Sequence, residues 1–70
     1  MANRLITVNV YNDPVEANIA KSKLTASGIF CFLANEELMS SPTLRTVIGS
    51  VELKVNLIDK AEARRILGLS

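Results

Sequence analysis

The chain has 70 residues, of which eight are Lys or Arg and seven are Asp or Glu, leaving a net charge of +1. A chain this short forms one domain with a thin core, here residues 1–70, and its balanced charge gives no strong field for collecting polyanions or acidic membranes. It contains no His and a single Cys, which excludes Ser-His or Cys-His nucleophile pairs, a His/Cys zinc site and an intrachain disulfide.

Two further absences bear on location. No stretch approaches the roughly 20 apolar residues of a membrane helix, and the N-terminus has no apolar core typical of a secretory signal. We therefore expect a cytoplasmic protein that uses no membrane, metal or cofactor.

The first predicted element is a strand over Leu5–Val10, in which apolar and polar side chains alternate. Ile6, Val8 and Val10 share one face of this strand. The pattern predicts that this face turns towards the core.

Signals for the start and end of one helix lie between Tyr11 and Gly28. Asp13 can cap the first turn, Pro14 suits the first helical position, and Gly28 can adopt the left-handed conformation that ends a helix. The predicted core face of this helix carries Ala17, Ala20 and Leu24.

Val15 and Ile19 lie nearly opposite that core face, where a monomeric two-layer domain should be wet. Apolar residues are common on ordinary protein surfaces, so one interpretation gives these two no role. The other interpretation is a contact with a partner, and the sequence leaves both open.

A second strand is predicted over Ile29–Ala34, where Phe30 and Phe32 should pack in the thin core and Cys31 should be a small buried hydrophobe. The following Asn35–Ser50 segment is long for a loop, and Glu36–Met39 could form one helical turn within it.

The third strand is predicted over Val51–Leu57, which has the cleanest alternation in the chain. A short helix should follow it, with Asp59 as its cap in a capping box. Ala63, Ile66 and Leu67 share one face of that helix.

The predicted order is βαββα. A helix between the first two strands makes those strands parallel, and the third strand most simply inserts between them, giving a three-stranded sheet of order 1-3-2 with two helices on one face. The expected fold class is α+β, a ferredoxin-like two-layer sandwich that lacks the fourth strand.

The missing strand would flank strand one, so the outer edge of strand one should be bare. An uncovered edge invites pairing with another chain, and we therefore expect a homodimer. The candidate contact residues are Leu5 and Thr7 on strand one and Val15 and Ile19 on the helix.

Four stretches of the sequence resemble a family of small bacterial domains of the DUF2007 type, classified as candidate signal-transducing proteins and related in fold to the PII-type regulators. They are YNDPVEANIAKSKLTASGI, CFLANE, VELKV and DKAEARRIL, which together cover most of the chain outside Asn35–Ser50. The resemblance implies a ferredoxin-like, PII-like fold and a regulatory or ligand-sensing role, with no established chemistry. The chain departs from the family at Phe30, where Pro is usual, and at 56–58, where Pro and acidic residues are common.

Polar residues follow two of the predicted strands and suggest a site for a small ligand or a protein partner. Asn12 and Asp13 follow strand one, and Asn35 and Glu36 follow strand two, so all four lie at the carboxyl end of the sheet. Helix capping and a turn explain the same residues without a ligand.

Other function classes have weaker support in the sequence. A carboxylate-dependent enzyme would have to use Asp13, Glu36 or Glu37, although neighbouring carboxylates in a polar loop usually stay solvated. A single-stranded nucleic-acid binder would stack bases on Phe30 and Phe32, but no basic residues are interleaved with them in the sequence. The favoured interpretation is a non-enzymatic regulatory or interaction module.

Overall fold

A computed structural model describes residues 4–35 and 49–69 of the chain. The elements in order are β1 (Leu5–Tyr11), α1 (Pro14–Ala26), β2 (Cys31–Ala34), β3 (Val51–Asn56), a 3₁₀ turn (Leu57–Asp59) and α2 (Lys60–Ile66). β3 lies between β1 and β2 and is antiparallel to both. The predicted α+β fold is confirmed in its sheet order and its two helices, and the described residues contain no fourth strand. The predicted helical turn Glu36–Met39 lies outside the described residues.

The core forms between the helices and one face of the sheet. Val51, Leu53 and Val55 of β3 have no exposed surface, because strict alternation turns all three towards the helices. The helices cover them with Ala17, Ala20 and Leu24 of α1 and Ala63 of α2. Small alanines at these positions let the helices approach the sheet closely.

The signals for the ends of α1 act as predicted. Asp13 accepts a hydrogen bond from the Val15 amide (2.9 Å), and Pro14 occupies the first helical position. At the other end, Gly28 has a φ of +80°, and the amide of Ile29 donates to the carbonyl of Leu24 (2.9 Å). Local chemistry at both ends therefore determines where this helix starts and stops.

A β-bulge corrects the prediction for β1. The register against β3 shifts between Thr7 and Asn9, which makes Val8 an extra residue in the ladder. Val8 is buried, but beyond it the alternation is reversed, so Tyr11 packs against the core and Val10 is 50% exposed on the other face. The predicted core position of Val10 is therefore wrong, since strict alternation does not continue through a bulge.

The structure also corrects the placement of the two Phe side chains. β2 begins at Cys31, two residues later than predicted, and its buried side chains are Cys31 and Leu33. Phe30 and Phe32 alternate with them and are 62% and 49% exposed, so neither belongs to the core. Cys31 is buried as predicted, and its thiol makes a weak hydrogen bond to the carbonyl of Lys21 (3.6 Å).

The start of α2 differs from the prediction as well. Asp59 stands at the cap position, but its side chain makes no capping hydrogen bond. The chain enters α2 through the 3₁₀ turn instead, which takes Leu57 out of the predicted strand. The predicted capping box is therefore wrong, while the predicted packing face is confirmed because Ala63, Ile66 and Leu67 all contact the core.

The bulge can be tested by truncating valines on its two sides. Val8→Ala should lower the free energy of unfolding by about 2 kcal/mol, because it removes buried methyl groups and leaves a cavity. Val10→Ala should cost less than about 1 kcal/mol, since its side chain is half exposed. Urea unfolding at the lowest workable protein concentration measures both, and equal losses would contradict the assigned register.

Candidate functional site

The most distinctive surface is the sheet face turned away from the helices, which we call the open sheet face. Alternation and register place eight described side chains on it: Leu5, Thr7 and Val10 from β1, Phe32 and Ala34 from β2, and Glu52, Lys54 and Asn56 from β3. Both described helices pack on the opposite side of the sheet.

A small polar network occupies the middle of the open sheet face. The hydroxyl of Thr7 donates a hydrogen bond to Glu52 Oε1 (2.8 Å), and Lys54 Nζ lies 3.9 Å from the same oxygen. Glu52 and Lys54 are two residues apart on the central strand, so they point the same way. The network has no net charge.

Large apolar side chains flank this network. Val10 is 50% exposed and Leu5 is 41% exposed on the β1 side, and Phe32 is 49% exposed on the β2 side. Phe30, directly before β2, is 62% exposed. Exposed apolar side chains that are scattered are ordinary, but a group with a polar centre on one flat face is typical of an interaction surface.

The outer edge of β1 has no partner strand among residues 4–35 and 49–69. The Leu57 amide donates to the Arg4 carbonyl (2.7 Å), so Arg4 bonds towards β3, and alternation then directs the backbone groups of Leu5 and Thr7 outwards. The bulge at Val8 interrupts this outward row. The edge therefore offers only a short regular stretch for pairing.

The structure places the predicted ligand residues at one end of the sheet without forming a single site. Asn12 and Asp13 follow β1 and Asn35 follows β2, but β3 lies between those strands, so the two groups are about 10 Å apart. Asp13 caps α1, and Asn35 makes a left-handed turn with φ 72°. Glu36 lies outside the described residues, and a ligand at this end stays a prediction.

The predicted oligomer contacts divide between the two sides of the molecule. Leu5 and Thr7 are on the open sheet face, whereas Val15 and Ile19 are on the outer surface of α1, 65% and 53% exposed. Val15 and Ile19 border a shallow depression of about 350 Å³. One flat interface cannot include both pairs, because the sheet and the core separate them.

Two other depressions lie on the helical side. One, of about 620 Å³, lies where the 3₁₀ turn meets α2 and has the apolar Leu57 and Ile58 beside Lys60 and Arg64. The other, of about 310 Å³, is lined by Asn9, Tyr11, Glu16, Ile19, Ala20, Lys23, Leu67 and Leu69. The second combines polar and apolar walls, as small-molecule sites commonly do.

Glu62 and Arg65 form an ion pair on the exposed surface of α2. Arg65 donates hydrogen bonds from its Nε (3.0 Å) and its Nη2 to Glu62. That hydrogen bonding holds the pKa of Glu62 below its ordinary value, and the charge of Arg65 acts in the same direction. Within residues 4–35 and 49–69, no three His, Cys, Asp or Glu side chains come together in a way that could hold a metal ion. None of the helices described there is long and apolar enough to cross a membrane.

Comparison with known protein families gives a match over most of the chain. The DUF2007 family, described as "Putative prokaryotic signal transducing protein", matches residues 5–68. The chain belongs to this family. The match spans every described strand and helix and confirms the resemblance seen in the sequence. No curated protein and no solved structure matched the chain.

Sequence reasoning missed two members of the open sheet face, Val10 and Phe32. A signal for Phe32 exists, because Ile29, Cys31 and Leu33 share one parity and the two Phe residues share the other. No comparable signal exists for Val10, because an alternating strand pattern does not reveal the bulge.

The role of Asp13 can be tested by two replacements. Asp13→Ala should lower the free energy of unfolding by about 1 kcal/mol, because the Val15 amide loses its acceptor. Asp13→Ser should cost little, since Ser is also a good N-cap residue. Thermal unfolding measures both, and a variant Asp13→Ala as stable as the wild type would contradict the capping role.

Proposed function

We propose that this chain is a non-enzymatic regulatory or interaction module that works as a homodimer through the open sheet face. Membership of a family named for signal transduction supports the regulatory role. The observation that carries the dimer is the exposure of Val10, Phe32 and Leu5 together on a face that the described helices leave uncovered.

Exposing such an apolar face to water is costly for a fold this small. A three-stranded sheet backed on one side buries little apolar surface per residue, and small domains are marginally stable for this reason. Covering Phe32 and Val10 with a second copy would remove apolar surface from water. Each Å² of apolar surface buried in this way stabilises the dimer by about 25 cal/mol. Association therefore strengthens a fold whose own core is thin.

The open sheet face is better suited to dimerisation than the outer edge of β1. Bulges twist an edge strand and break its regular row of hydrogen-bonding groups, which is how many proteins prevent edge pairing. The bulge at Val8 does this in the middle of β1. Among the described residues of the open sheet face, the charged side chains are Glu52 and Lys54, which offset each other.

Three of the described carboxylates have partners on the protein, which supports a non-catalytic role for them. Asp13 caps α1, Glu52 accepts a hydrogen bond from Thr7, and Glu62 pairs with Arg65. Each therefore has a structural or surface partner. Stacking of single-stranded nucleic acid on Phe32 is less favoured, because Glu52 offsets the charge of Lys54, which lies beside Phe32.

The helical side would stay available for a second partner in this arrangement. A small ligand or a protein segment could bind there or at the end of the sheet, where the sequence predicts contacts from Asn12, Asp13, Asn35 and Glu36. Such a module would link dimerisation on one side to recognition on the other.

A pair of lysine substitutions distinguishes the two sides of the molecule. Phe32→Lys should weaken dimerisation at least about tenfold, because it puts a charge into the apolar part of the interface. Ile19→Lys is the matched control on the outer surface of α1 and should leave the dimer unchanged. Sedimentation equilibrium over a range of concentrations measures both. The proposal fails if the wild type stays monomeric, or if only Ile19→Lys weakens association.

The β1 edge can be tested separately at Thr7. Thr7→Pro and Thr7→Ala both remove the hydroxyl that bonds to Glu52, but only Pro removes an amide that faces outwards. For contact through the face, the two variants should dimerise equally well in the same sedimentation assay. Loss of the dimer in Thr7→Pro alone would show that the edge is the interface.

A further inference from the structure

The open sheet face is self-complementary in one orientation. Glu52 and Lys54 are two residues apart on the central strand and point to the same side. Two copies that meet face to face about a two-fold axis, with β3 on β3, can have their strands parallel or antiparallel to each other. When the axis runs along the strands, Glu52 meets Glu52 and Lys54 meets Lys54. When it runs across them at the level of Leu53, each Glu52 meets the Lys54 of the other copy.

Side-chain size is compatible with the orientation that pairs Glu52 with Lys54. The register places Phe32 level with Lys54 and Ala34 level with Glu52. The axis across the strands therefore puts the large Phe32 of each copy over the small Ala34 of the other. On the other flank it puts Thr7, level with Lys54, over Val10, level with Glu52. Large side chains opposite small ones are the arrangement that lets two packed layers interdigitate.

We propose that the homodimer is a face-to-face pair with antiparallel β3 strands, set in register by reciprocal contacts between Glu52 and Lys54. This inference rests on the proposed function and specifies the partner surface of the same site. In the dimer, the existing contact between Lys54 and Glu52 (3.9 Å) becomes part of a network of four charges. When water is excluded from the interface, the Glu52 carboxylate still accepts the hydrogen bond from Thr7.

The charges serve specificity more than affinity. Opposite charges in a partly buried interface roughly offset their loss of hydration, whereas like charges in contact are strongly unfavourable. The sheet face spans about 300 Å² from strand length and spacing, which is less than the roughly 800 Å² per partner of a standard specific interface and places the dimer in the weak, transient class. A reversible dimer that exchanges subunits is therefore expected.

Charge exchange between copies tests whether the charges at positions 52 and 54 meet across the interface. Glu52→Lys should weaken the homodimer at least about tenfold, because its copies then meet with four cations, and Lys54→Glu should do the same with four anions. An equimolar mixture of the two variants should dimerise about as well as the wild type, since each cation then meets an anion. The double variant Glu52→Lys with Lys54→Glu should also recover the dimer.

Sedimentation equilibrium of each variant alone and of the mixture gives the readout, with circular dichroism to show that each is folded. The mixture is informative because each variant is the partner that supplies the opposite charges the other one lacks. A wild type that dimerises while both single variants dimerise equally well would overturn the register and leave the proposed function standing. A wild type that is monomeric throughout would overturn both.

Discussion

The fold depends on the central strand β3, whose side chains divide strictly between two environments. Val51, Leu53 and Val55 are completely buried under the helices, while Glu52, Lys54 and Asn56 are only partly covered on the other side. Hydrogen bonds on both edges hold this strand in place. The rest of the fold follows from that division, because both described helices pack on one face of the sheet and no described residue covers the other face.

The one-sided arrangement connects stability with association. A chain of 70 residues has little apolar surface to bury, and the described part of this one concentrates its buried side chains in a single layer. The apolar residues left outside that layer are not distributed evenly. Val10, Leu5 and Phe32 surround a neutral polar centre, and in the proposed dimer these apolar side chains provide the contact while the polar centre sets the register.

Much of the fold could be predicted because its signals are local. Asp13, Pro14 and Gly28 define α1 from within a few residues of its ends, and the alternation in β3 needs no tertiary information. The faces of the edge strands could not be predicted as well. The bulge at Val8 depends on how β1 fits against β3. For β2, the expectation that a thin core needs both Phe residues conflicted with the alternation that places Phe32 outside.

The bulge also determines the character of the depression between β1, α1 and the end of α2. An uninterrupted β1 would turn Val8 and Val10 towards that depression and leave Asn9 and Tyr11 on the opposite side of the sheet. With the bulge, Asn9 and Tyr11 line the depression and Val10 faces outwards. This single bulge in the backbone thus makes one side of the sheet more apolar and the other side more polar. Both surfaces depend on the same bulge, so a shift of the bulge along β1 would change the side chains on both sides of the sheet at once.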